Sequence, residues 1–104
     1  MYILSIHLCE PRMDENFEFD ANKSRSNRDK HGITFGFARS IWLNRNMVVL
    51  QANTEQEDRF LAIGEISDRI WTVVFTMRDE RIQIISARRA RASERAQYEW
   101  QRVR

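Results

Sequence analysis

Arg59-Phe60-Leu61-Ala62-Ile63-Gly64-Glu65-Ile66, Ile70-Trp71-Thr72-Val73-Val74-Phe75-Thr76 and Arg81-Ile82-Gln83-Ile84-Ile85-Ser86 follow one another, separated by the polar joint Ser67-Asp68-Arg69 and, after Met77, by Arg78-Asp79-Glu80. Each run is rich in β-branched and aromatic residues, which suit a pleated, half-buried surface. The joints are of hairpin length, so the three runs predict an antiparallel meander. Upstream, Met47-Val48-Val49-Leu50 reads as one more strand of the same sheet. Within the meander Trp71 and Phe75 share one face and read as core.

On either side of the sheet the period turns helical. Asp20 is a good N-cap for a helix over Ala21 to His31, and Gly32 sits where a left-handed C-terminal cap belongs. That helix has almost no apolar stripe. Lys23, Asn27 and then Lys30 or His31 recur on one side instead, giving it an organised polar face. Thr34 can cap a second helix in which Phe35, Ala38, Ile41 and Trp42 recur with core spacing. A basic helix carrying Tyr98 and Trp100 closes the chain over Ala90 to Arg104, with Ser93 as its expected cap. Phe17-Glu18-Phe19 is a short strand ahead of the first helix. The expected fold is α+β, with an antiparallel sheet of about four to five strands, two N-terminal helices and one C-terminal helix.

The 104 residues suffice for one compact domain that folds without disulfides or metals. One cysteine, Cys9, excludes an internal disulfide framework and fits a reducing compartment. No apolar run approaches the roughly 20 residues needed to cross a bilayer, and Tyr2 to Cys9 lacks the basic leader and cleavage site of a signal peptide. The expected location is the cytoplasm. Residues 1 to 12 do not read continuously with the rest of the chain, so Met13 is expected to begin the domain, 13–104, with 1–12 a dispensable extension.

A net charge of +2 conceals an uneven distribution. Residues 1 to 20 carry −4, residues 21 to 80 carry +1, and residues 81 to 104 carry +5. The basic side chains are 15 arginines and 2 lysines. Arginine grips phosphate with a planar, permanently charged fork and stacks on bases.

Two histidines and one cysteine cannot compose a zinc site, and the three glycines form no phosphate-cradling loop. Neither a metal nor a cofactor is expected. The remaining inventory of arginines, a carboxylate or two, Lys30, His31 and Tyr98 suits metal-free RNA cleavage. There a base takes the 2′-hydroxyl proton, cations stabilise the phosphate and an acid protonates the departing 5′-oxygen. His31 could serve as either base or acid, the use to which imidazoles are most often put in proton transfer. Glu94 among arginines would stay ionised, acting as a base or orienting a guanidinium. Each residue also has a plainer use: Lys30 and His31 complement a helix C-terminus, and Arg88, Arg89, Arg91 and Arg95 could form a solvated face paired with Glu94 and Glu99.

Taken in order, Phe17-Glu18-Phe19-Asp20, Lys23 with Asn27, Lys30-His31-Gly32-Ile33-Thr34-Phe35, Arg59-Phe60-Leu61-Ala62-Ile63-Gly64, Val73-Val74-Phe75-Thr76, Ile84-Ile85-Ser86-Ala87-Arg88-Arg89-Ala90, Glu94-Arg95 and Tyr98-Glu99 resemble the BrnT family of bacterial type II toxins. The resemblance runs from about Phe17 to Glu99. It implies a fold like the RelE ribonuclease toxins, RNA cleavage that arrests translation, and neutralisation by a BrnA-like ribbon-helix-helix antitoxin. It further implies two toxins with two antitoxins, and operator DNA bound only through the antitoxin. Many members carry arginine where this chain has Gln83. The alternative reading is therefore a catalytically degenerate module that binds only its antitoxin or nucleic acid.

The leading expectation is an endoribonuclease in which Arg59, Arg78, Arg81 and Arg88 bind phosphate and stabilise transition-state charge. His31 and Glu94 are the candidates for proton transfer. Lys23, Asn27, Lys30, Arg89, Arg95 and Tyr98 are expected to contact RNA.

Overall fold

The computed structural model describes residues 3–6, 17–52 and 59–102. Met13, His7, Cys9 and the greater part of the 1–12 extension lie outside the described residues. Strand β1 (Ile3–Ile6) and the short β2 (Phe17–Glu18) precede helices α1 (Ala21–His31) and α2 (Phe35–Ala38), the latter continuing as a 3-10 turn over Arg39–Leu43. Strands β3 (Val48–Gln51), β4 (Phe60–Ile66), β5 (Arg69–Arg78) and β6 (Arg81–Arg89) come next, then helix α3 (Ala92–Arg102). The fold is α+β, as the sequence predicts.

The six strands run in the order β1-β3-β4-β5-β6-β2. The meander β3 to β6 is antiparallel throughout. The sheet is larger than expected because Ile3–Ile6 adds a strand, β1, antiparallel to β3; the expected Phe17 strand is β2, which pairs parallel to β6 with Phe17 opposite Ile82. Both hairpins turn through two residues with positive φ, Ser67-Asp68 and Asp79-Glu80. These are the backbone angles of type I′ turns, whose twist matches that of the strands they join.

Helix α1 starts and stops where its signals lie. The Asp20 carboxylate accepts the Asn22 and Lys23 N–H groups, and Gly32 takes the left-handed conformation with φ 83°. Thr34 Oγ1 accepts the Phe37 N–H and caps α2. Ser93, expected to cap α3, instead lies inside its first turn. The helix begins at Ala92, and Glu94 reaches back to accept the Arg91 N–H at 2.8 Å, the acidic half of a capping box.

Each face of the sheet carries a core. On one face Phe35, Ala38, Ile41 and Trp42 pack with Phe17, Val49, Ala62, Trp71, Val73, Phe75, Ile84 and Ala87. Trp71 and Phe75 are core residues, as read. On the other face Tyr98 of α3 packs on Val48, Leu50, Leu61 and Ile63. Gly64 permits the close approach of the first layer: a Cβ there would lie 2.7 Å from Ile41 Cγ1. Among the described residues no helix is long and apolar enough to cross a membrane.

Candidate nucleic-acid interface

Strand β6 runs three residues beyond the predicted Ser86, and this extension builds the site. Thr72 stands opposite Arg88, Val74 opposite Ser86, Thr76 opposite Gln83 and Arg78 opposite Arg81. A register shift between Val74 and Phe75 leaves Ile85 as the extra residue of a bulge. Because side chains alternate along a strand, Arg78, Arg81, Gln83, Ser86 and Arg88 share the face on which α3 packs. Tyr98 of α3 covers β3 and β4 on that face. Arg78 and Arg81 are exposed at the β5–β6 turn. Arg59 immediately precedes β4, and alternation carries it to the same face as Leu61.

Arg88 is held by a buried carboxylate. Its Nη1 and Nη2 donate to Glu94 Oε1 and Oε2 at 2.7 and 2.9 Å. Oε1 also accepts the Thr72 hydroxyl at 2.9 Å and the Arg91 N–H. Glu94 is 2% exposed. Burial pushes its carboxyl pKa up, but the Arg88 guanidinium, the Arg91 amide and the Thr72 hydroxyl together outweigh it and hold the value at about 2 against an ordinary 4.5. Both oxygens of Glu94 are engaged, so of its two expected uses this geometry suits orienting a guanidinium rather than carrying a proton. Arg88 spends a further Nη1 contact on the Arg89 carbonyl. Of its five N–H groups, two remain without a partner among the described residues.

The polar face of α1 has a structural explanation in part. Asn27, expected to contact RNA, is buried and fully committed. Its amide nitrogen donates to the carbonyls of Ile33 and Ala87, both at 2.8 Å, and its oxygen accepts the Ala87 N–H at 3.1 Å. The side-chain amide thus pairs with β6 much as a neighbouring strand would. Ser24, one turn earlier, accepts the Phe35 N–H. An amphipathic helix docks through an apolar stripe; this one docks through two polar residues.

Lys23, Lys30 and His31 remain exposed on that helix and line a cleft of about 200 Å³ with Asn27, Ile85 and Ser86. The cleft lies on the α1 side of β6, whereas Arg88 and Glu94 meet beneath α3. His31 and Glu94 therefore do not form one proton-transfer pair.

The remaining expectations divide. Tyr98 is 1% exposed and its hydroxyl donates to Asn44 Oδ1 at 3.3 Å; it is a core residue and does not reach RNA. Arg89 lies 5.6 Å over the Trp71 ring. Arg95 donates to the Ala90 carbonyl at 3.1 Å. Both remain exposed, with cationic heads partly committed to the protein. Arg28 and Arg102, by contrast, are in surface ion pairs with Asp29, Glu65 and Glu99. Ser86, which the sequence does not single out, stands two positions before Arg88 in β6, and alternation puts the two on one face. Among the described residues no group of three His, Cys, Asp or Glu side chains could hold a metal ion.

The model of a family described as "Ribonuclease toxin, BrnT, of type II toxin-antitoxin system" matches residues 19–94. A search of curated proteins finds no significant match.

Proposed function

From the membership of this chain in the BrnT family of type II toxin-antitoxin ribonuclease toxins, we propose that it is an endoribonuclease that cleaves RNA without a metal ion and so arrests translation in the cytoplasm. The observation that carries this reading is the Arg88–Glu94 pair at one end of the β5–β6 face that bears Arg78 and Arg81 at its other end. A guanidinium fixed by a buried carboxylate is a preorganised cation, and preorganised charge aimed at a developing oxyanion is a large source of rate enhancement.

In the proposed reaction the RNA 2′-oxygen attacks the adjacent phosphorus as the bond from phosphorus to the 5′-oxygen breaks. The 2′-hydroxyl proton leaves to a base, and a proton reaches the departing oxygen. Arg88 stabilises the phosphate, with Arg78, Arg81 and Arg59 binding the flanking backbone. His31, in the cleft on the α1 side of the β6 edge, is the candidate proton carrier for a strand that crosses that edge toward Arg88, and Lys23 and Lys30 orient the strand. Glu94 acts through Arg88 as a positioning residue. The proposed partner is a BrnA-like ribbon-helix-helix antitoxin, two copies with two toxins, through which alone operator DNA is bound. Residues 1–12 are proposed to be an extension that lends β1 to the sheet edge of a 13–104 domain able to fold without it, and a chain beginning at Met13 that cannot fold would refute that assignment.

Gln83 favours a second reading. It occupies the cationic face between Arg81 and Ser86, where many relatives are expected to carry arginine, and a toxin-like module that only binds would tolerate that loss. Incubating purified protein with RNA, in magnesium and in chelator, separates the two. Cleavage in both conditions, abolished by Arg88→Lys and reduced by His31→Ala, is the expected result. Intact RNA in both, with harmless inducible expression, leaves only the binding module.

A further inference from the structure

The α1 cleft and the row of guanidinia meet at one residue. Ser86 lines the cleft with Lys23, Lys30 and His31. Its ladder position, opposite Val74, also puts it on the face of Arg88, two residues further along β6. Two residues of strand span about 7 Å.

The sheet edge is open there. Strand β2 pairs with β6 only at Ile82 and Gln83, and Asn27 seals the edge at Ala87. Between them lie Ile84, which faces the core, Ile85, the bulged residue, and Ser86. Bulges recur next to active sites because they re-aim a side chain. The Ser86 hydroxyl, half-buried, has no hydrogen-bond partner among the described residues, and Lys30 and His31 form no salt bridge there. At about 200 Å³ the cleft is smaller than the roughly 300–1,000 Å³ of a complete small-molecule site. It suits one group of a longer ligand, and its cationic rim specifies an anionic one.

We propose that this cleft is a phosphate subsite for single-stranded RNA. The strand crosses the β6 edge at Ser86, with one backbone phosphate between Lys23 and Lys30 and the adjacent, scissile one against Arg88. Ser86 donates its hydroxyl to the scissile phosphate. This rests on the ribonuclease reading and adds to it a strand path and a further catalytic residue. A duplex is stiff and keeps its phosphates on a regular helical track, so it cannot fold over a sheet edge; a single strand can.

The test uses a 2′-O-methyl RNA decamer, which lacks the attacking hydroxyl, so that binding is read without cleavage, and an unmodified decamer for turnover. Lys23→Ala/Lys30→Ala should weaken single-strand binding about tenfold and make the salt dependence of log K shallower by about 0.7 for the phosphate released. Binding of the corresponding duplex should be the same for the variant and the wild type. Ser86→Ala, which changes no charge, should keep the salt slope and the thermal melt while kcat falls about tenfold, as for loss of one hydrogen bond to a charged group. A double variant with the wild-type slope, or Ser86→Ala with wild-type kcat, overturns the proposal. If the wild type does not cleave yet the double variant shows the shallower slope, the subsite stands and the ribonuclease reading falls. If the wild type cleaves and the double variant keeps the wild-type slope, the ribonuclease reading stands and the subsite falls.

Discussion

Replacing Glu94 with glutamine removes the charge that holds Arg88 while keeping the shape of the side chain. A carboxyl whose pKa is about 2 in the folded chain and 4.5 otherwise contributes about 3 kcal/mol at neutral pH, from 1.36 kcal/mol for each pH unit of displacement. Loss of one partner of a buried ion pair leads to a similar figure, roughly 3–5 kcal/mol. Because the folded-state pKa is depressed, this stabilisation is fully present above about pH 5 and disappears as the pH falls from 4.5 through about 2. Urea denaturation of the wild type and Glu94→Gln across pH 2 to 7 should therefore show a difference of about 3 kcal/mol at pH 7. That difference should close progressively in acid, since protonated Glu94 and glutamine are both neutral. In a domain of this size the neutral-pH loss corresponds to a Tm lower by roughly 15 °C. A difference below 1 kcal/mol at pH 7, or one that does not vary with pH, would refute the claim that the Arg88–Glu94 pair is a buried, charge-dependent tie. The same measurement bears on function, because an activity lost in any Arg88 variant has to be read against its stability.

Asn27→Ala strips the bonded amide from Ala87 and Ile33 and should destabilise the fold by about 3 kcal/mol in chemical denaturation, with protection of the Ala87 amide from hydrogen exchange lost first. Gly64→Ala sets a Cβ 2.7 Å from Ile41 Cγ1 and should cost about 1–3 kcal/mol by the same assay. Gln83→Arg adds a cation to the face shared by Arg81 and Arg88; RNA binding should tighten and its salt slope should steepen by about 0.7, and an unchanged slope would place Gln83 outside the RNA path.

The sequence by itself determined the elements from β2 to α3 and their order, because the signals for these are local. Asp20 and Gly32 bound α1 through side-chain and backbone geometry that each residue brings with it. The β-branched runs with short polar joints of hairpin length could pair in little other than a meander. Family membership was equally legible, from short blocks in fixed order. The local signals did not extend to which face a polar residue presents, or to what. Lys23, Asn27 and Lys30 were read as one RNA-facing set, yet Asn27 turns inward because β6 offers an unpaired peptide edge at Ala87, a partner 60 residues away. Tyr98 carries a hydroxyl among basic residues, and only the position of α3 over β3 and β4 made it core. Glu94 could have been a base or a clamp. The tertiary structure closes Arg88, Thr72 and the Arg91 amide around that carboxylate and removes it from water, the geometry on which the proposed positioning role rests. Ser86 gained its place only when β6 ran on to Arg89 and a bulge fixed its register, since which residues share a face depends on pairing with another strand.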